Sequence, residues 1–244
     1  MVSHNQHTLL IKPKGRTPAD EYVHKGRCFI EGRENSHYVI ELQNHSHVRK
    51  MAVVSVDGLA VTDGKTASFD STGFVINPNQ TIQISGWILD DKTAAEFVFA
   101  KRRDSYGSQT SSSGNEGVIG VAWFDENPKL KPIMIAQPHG LRSQNLQYSV
   151  ASLTQTLETE SHVEPSMGTA FGPSVDMVTH STSFEKLSDQ PTVVQLIYYD
   201  NAANLQKMGI KLKERHTTNV GPSAFPGSTP VYCVPPPTWA TKKW

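Results

Sequence analysis

Three histidines, His37, His45 and His47, stand close together near the start of this chain, and imidazole nitrogens are common ligands for zinc. His45 and His47 are two residues apart, so a strand would place both rings on one face. The turn-forming run Asn44-His45-Ser46-His47 accounts for the same residues without a metal, and no cysteine or carboxylate ligand is adjacent in sequence. Asp57, Asp63 and Asp70 could offer oxygens to calcium, but they lack the dense alternation of a dedicated loop, and the first two precede glycines as turn residues do. Ser55, Ser68 and the serines between 105 and 113 raise the question of a nucleophile, yet no G-x-S-x-G elbow occurs. Gly107, Gly114, Gly117 and Gly120 lead into a strand rather than a helix, so the helix end that would cradle a phosphate is missing. Carboxylates for glycoside hydrolysis could still converge from distant positions. Cys28, inside an apolar strand, has the setting of an inert core thiol. With Cys233 at the far end and no CxxC motif, the two cysteines could be bridged in an oxidising compartment, but unpaired thiols of a reducing compartment are the expectation. The expectation is a chain without catalytic, cofactor-binding or metal-binding residues, and not an enzyme.

Binding chemistry is better represented. The stretch 101–117 (KRRDSYGSQTSSSGNEG) is polar and rich in serine and glycine, the composition of an exposed loop. Tyr106, Ser105 and Asn115 are its candidate contact residues. The segment from Thr217 onward holds six prolines and two tryptophans and ends in WATKKW. Such a tail is expected to lie extended across a surface, its own or a neighbour's, with Trp239, Trp244 and Tyr232 as candidate interface anchors.

The elements that must position these residues are strands. Short β-branched runs follow one another through 38–86, broken by Asp-Gly and Asn-Pro turns at the spacing of a sandwich or barrel. Strands are expected at 27–31, 38–43, 51–56, 74–76, 81–86, 94–100 and 118–124. In the second of these Tyr38, Ile40 and Leu42 alternate with Val39, Glu41 and Gln43, so one face is core. Beyond 125 the pattern loosens: a proline-bearing connector at 127–140, a strand or short helix at 148–159, a turn-rich link at 168–172, and strands at 176–184 and 192–199. A short helix follows at 201–208, capped by Asp200 and stopped by Gly209. Trp87 and Trp123, at strand ends, are expected in the core or at its rim. The expected fold is mainly β, an antiparallel sandwich of jelly-roll or immunoglobulin-like type. The expected organisation is an N-terminal arm at 1–20, the sandwich at 21–125, a second β-rich segment at 126–216 and the tail at 217–244.

Composition bounds the function. The 244 residues suffice for a buried core, and 23 basic residues balance 23 acidic ones. A grip on nucleic acid or anionic lipid would call for a basic surplus, so neither partner is expected. The longest apolar run near the N-terminus is Leu9-Leu10-Ile11, too short for a signal-peptide core, and no run approaches the ~20 residues that span a bilayer. Synthesis in the cytoplasm is expected.

In order along the chain, VVSVDGLAVTDGKTAS, GFVINPNQTIQISGW, AAEFVFA, SYG and GVIGVAWF are followed by GTAFG at 168–172, FEK at 184–186 and YYDNAANLQKMGI at 198–210. This series resembles a family of uncharacterised proteins from proteobacteria and their tailed phages. The resemblance spans 38–125 and 165–210 and leaves out both chain ends. It carries over no catalytic residues. It implies a β-sandwich at home in the virion: a capsid decoration (cement) or minor capsid protein, homo-oligomeric and bound to the major capsid protein or other virion proteins. The alternative is a module that binds carbohydrate or a host surface from the neck, tail or fibre, and a third reading is a hydrolase on the same fold.

Overall fold

The computed structural model describes residues 2–4, 6–110, 114–128 and 164–213. The tail at 217–244, with Tyr232, Cys233, Trp239 and Trp244, the connector beyond Pro128 and the stretch 148–159 lie outside them.

Two seven-stranded sheets enclose one core. The first holds β1 (Val2–His4), β2 (His7–Pro13), β5 (His37–Asn44), β9 (Thr81–Ile84), β10 (Gly86–Ile88), β11 (Thr93–Lys101) and β13 (Met167–Asp176). Its main path runs β1-β2-β5-β11-β10, with β9 on β5 and β13 on β11. The second holds β3 (Glu21–His24), β4 (Arg27–Glu31), β6 (Lys50–Val56), β7 (Leu59–Ala60), β8 (Phe74–Ile76), β12 (Val118–Asp125) and β14 (Val193–Asp200), in the order β3-β4-β14-β12-β6-β7 with β8 on β6. Pairing is antiparallel except where β14 runs parallel to β4. The fold is a mainly-β sandwich.

Alternation places the core. Leu9 and Ile11 of β2, Tyr38, Ile40 and Leu42 of β5, and Phe97 and Phe99 of β11 point inward from the first sheet. Val54, Val56, Ile119, Val121, Trp123, Ile197 and Tyr199 meet them from the second. Trp87 and Trp123 are both buried within this layer, and each apolar side chain sequestered there stabilises the fold by about 1.5–3 kcal/mol. The turns follow their chemistry. Asp57 and Gly58 both take positive φ in the two-residue loop between β6 and β7, as a type I′ hairpin requires. Pro78 and Asn79 make the β8–β9 turn, Asn79 supplying the left-handed residue.

Several expectations change. The stretch 1–20, expected as a loose arm, contributes β1 and β2, and β2 pairs with β5 from His7↔Asn44 to Pro13↔Tyr38. Its Leu9 and Ile11 alternate inward, a period too short to outweigh the surrounding prolines and glycines on sequence alone. GTAFG is not a link but part of β13, near its start, and 176–184 is largely irregular. β13 and β14, both beyond residue 125, hydrogen-bond into the same two sheets as the strands before it. The helix α2 (Ala202–Lys207) forms where expected, but its N-cap is Asn201, whose side chain accepts from Asn204 N, and Gly209 at φ +87° ends it.

Candidate functional site

The described parts of the stretch 101–117, residues 101–110 and 114–117, are folded rather than loose. Residues Arg102–Asp104 make one 3₁₀ turn, and α1 (Tyr106–Gln109) follows at once. Ser105, expected at the surface, is fully buried: its Oγ caps α1 by accepting from Ser108 N at 3.1 Å and donates to the Arg102 carbonyl at 2.7 Å. A short hydroxyl side chain between two helical turns satisfies their orphan backbone groups, which is why a serine stands there. Tyr106 is half-buried, its ring edge-on to Phe171 at 4.5 Å and to Trp87 at 5.1 Å. Asn115 is exposed. The loop closes on Glu116, which is buried and accepts from Ser108 Oγ (2.8 Å), Gly114 N (2.9 Å) and Arg102 Nε (3.2 Å). Burial pushes the Glu116 carboxyl up, but these bonds and the Arg102 charge outweigh it and leave it below the usual carboxylate range.

Beneath the loop lies a buried carboxylate, Asp57. Its carboxylate is buried and accepts from Gly117 N at 2.9 Å, Thr169 N at 2.6 Å and the Tyr199 hydroxyl at 2.6 Å. Thr169 Oγ1 bonds to Tyr199 Oη at 2.7 Å and to Tyr38 Oη at 2.8 Å. A chain of hydroxyls thus runs from Tyr38 on β5 through Thr169 on β13 and Tyr199 on β14 to Asp57 at the end of β6, tying the sheets together. Burial raises the Asp57 carboxyl to about 6 despite these three donors. Burial, and then the Asp57 charge, push both tyrosine hydroxyls well above their usual range.

The other sequence candidates do not assemble. His37 begins β5, while His45 and His47 are exposed in the turn beyond its other end. His37 Nδ1 faces Glu96 Oε2 at 2.5 Å, and His45 Nε2 meets Thr8 Oγ1 at 2.9 Å. Asp63 is exposed and accepts from Lys65 N, and Asp70 is exposed in the turn that follows. Among the described residues no group of three or more potential ligands could hold a metal ion. The Cys28 thiol is half-buried, 3.5 Å from Glu21 Oε2, and burial pushes it up.

Two surface features escaped the sequence. One is an open cleft of about 440 Å³ lined by Glu34, Lys101, Arg102, Arg103, Ser166, Met167 and Asn201. The other is the outer face of the second sheet. On the first sheet that face carries polar clusters: Glu41 with Lys12, Gln43 and Gln83, and Glu96 with Lys14 and His37. On the second it is apolar. Phe184 helps cover Met51, Val53, Ala122 and Phe124 at one end, and Leu205 and Ile210 pack on Phe29 at the other. Between them the cross-strand rungs Leu196–Gly120–Ser55 and Val194–Ala122–Val53 leave Val194 48% and Leu196 42% exposed. The run VVQLIYY betrays an apolar strand, but not which of its neighbours are covered.

No family model, curated protein or solved structure matches the chain.

Proposed function

We propose that this chain is a structural protein of a tailed-bacteriophage virion, a capsid decoration or minor capsid protein that works through protein–protein contacts in many copies. The observation that carries the reading is the outer face of the second sheet. A sheet with one wet face alternates apolar-in and polar-out, as the first sheet does, whereas an apolar run on both faces belongs to a sheet covered on both. Val194 and Leu196 form exposed apolar rungs at the middle of that face, the kind of surface that marks a contact site. The charged groups of the interior support the same reading, since Asp57 and Glu116 are spent on hydrogen bonds that hold the fold. The ordered sequence blocks that resemble a family of proteobacterial and phage proteins supply the virion.

The test is mass spectrometry of gradient-purified particles of the phage whose genome carries this chain. Copies in the tens to hundreds per particle are expected, bound to the major capsid protein or its neighbours. Absence from intact particles would overturn the assignment.

A further inference from the structure

The walls of the cleft between Glu34 and Asn201 carry a run of consecutive cations. Lys101 ends β11, and Arg102 and Arg103 follow in the 3₁₀ turn, so all three residues border it together with the almost fully buried Met167. Their carboxylate partners differ in how firmly they hold. Arg102 is fixed, its Nε on the buried Glu116 at 3.2 Å and its Nη1 on Glu164 at 3.4 Å. Arg103 is 78% exposed on its side chain, and its one salt bridge among the described residues is a 3.5 Å contact with its neighbour Asp104. Lys101 meets Glu34 at 3.5 Å, both side chains about half exposed. Exposed pairs at that separation contribute little and open readily. Glu34 therefore stands as a resident carboxylate inside the cleft, in the place an incoming one would take.

We propose that this cleft docks an acidic peptide segment of a partner protein, with Glu34 as an internal competitor for Lys101. Lys101, Arg102 and Arg103 set three cations in a row along one cleft. A row of cations suits carboxylates spaced along a chain, and the cleft volume lies within the usual range of ligand pockets. The ammonium of Lys101 and the guanidinium of Arg103 bind the carboxylates, Arg102 holds the wall in place, and opposite charge speeds the encounter. The inference deepens the protein-contact reading but does not need the virion: absence from particles would sink the former and leave this binding intact.

The experiment is isothermal titration calorimetry of the full chain at low ionic strength, with acetylated tetraglutamate and inorganic phosphate as probes. Glu34→Gln is expected to tighten peptide binding ~3–10-fold by removing a competing charge, and the double variant Lys101→Glu/Arg103→Glu to weaken it more than ~10-fold. Both sites are exposed, and circular dichroism should show the fold unchanged. No peptide binding at millimolar concentration overturns the proposal. So does phosphate binding as tightly as the peptide, which would make this a small-anion site, and so does a Glu34→Gln chain that binds no tighter than the parent.

Discussion

Thr169 N donates to Asp57 Oδ2 at 2.6 Å across 112 residues of sequence, and the same threonine's hydroxyl sits between Tyr38 and Tyr199. One residue of β13 thereby joins a hairpin turn of the second sheet to a core tyrosine of the first.

That junction makes stability depend on pH with a definite sign. The Asp57 carboxyl is raised to about 6 in the folded chain from the ordinary 3.8, so the folded state binds its proton more tightly than the unfolded state does. Its contribution is fully present below 3.8 and lost as pH rises through about 6. Between pH 7 and 4 the chain should gain on the order of 3 kcal/mol from this group. Glu41, Glu96 and Glu116, held below their usual range, act the other way at lower pH. Urea titrations of the parent and Asp57→Asn at several pH values should give stabilities whose dependence on pH differs through about pH 4–6, the variant being the flatter. Parallel curves would mean that Asp57 does not titrate there.

The hydroxyl chain separates two substitutions of similar size. Tyr38→Phe removes a donor together with its group, whereas Thr169→Val leaves the Tyr38 hydroxyl buried without its partner. An orphaned buried donor costs about 1–3 kcal/mol, more than the loss of an average hydrogen bond. Thr169→Val should therefore lower the unfolding free energy more than Tyr38→Phe, measured by chemical denaturation at pH 7.

Gly86 opens β10, and a Cβ built on it would overlap the Ala95 carbonyl on the paired strand. Backbone cannot yield as a flexible side chain can, so Gly86→Ala should destabilise by roughly 3 kcal/mol or more. A thermal melt within a degree or two of the parent would show that the β10–β11 hairpin shifts freely.

Val194 and Leu196 offer the opposite signature. Half exposed, they should tolerate Val194→Thr and Leu196→Gln with changes of about 0.5 kcal/mol or less, yet the double variant should lose incorporation into particles. Particle-bound protein, counted by mass spectrometry against wild type, is the readout. Undiminished incorporation would remove this face from the contact.

What was legible in the sequence was local. The Asp57-Gly58 hairpin follows from the glycine's freedom at positive φ, and α2 from a short run of helix formers and a glycine stop, although its cap is Asn201 and not Asp200. Alternation in β5 revealed the inward tyrosine, isoleucine and leucine. The rest depended on partners far away in sequence. Thr169 looks like any residue of a Gly-Thr-Ala run until Phe99 lies opposite and Asp57 beyond. Asp57 carries the same Asp-Gly signature as Asp63, and only burial by β13 and β14 separates a buried acceptor from an exposed turn residue. Ser105 sat in the most polar stretch of the chain, where composition suggests exposure and helix capping decides otherwise. Cleft and apolar rungs alike are products of register.

The order of the second sheet bears on how the chain is made. β14 fills the place between β4 and β12, and its last residues, Tyr198 to Asp200, pair in parallel with Phe29 to Glu31. During synthesis the β3–β4 hairpin must wait for a strand some 170 residues behind it, estimated from chain order as a pairing of very high sequence separation. Until that strand leaves the ribosome, β12 presents an unpaired edge flanked by apolar faces. Nascent chains cut short before residue 193 would keep that edge open and recruit one another.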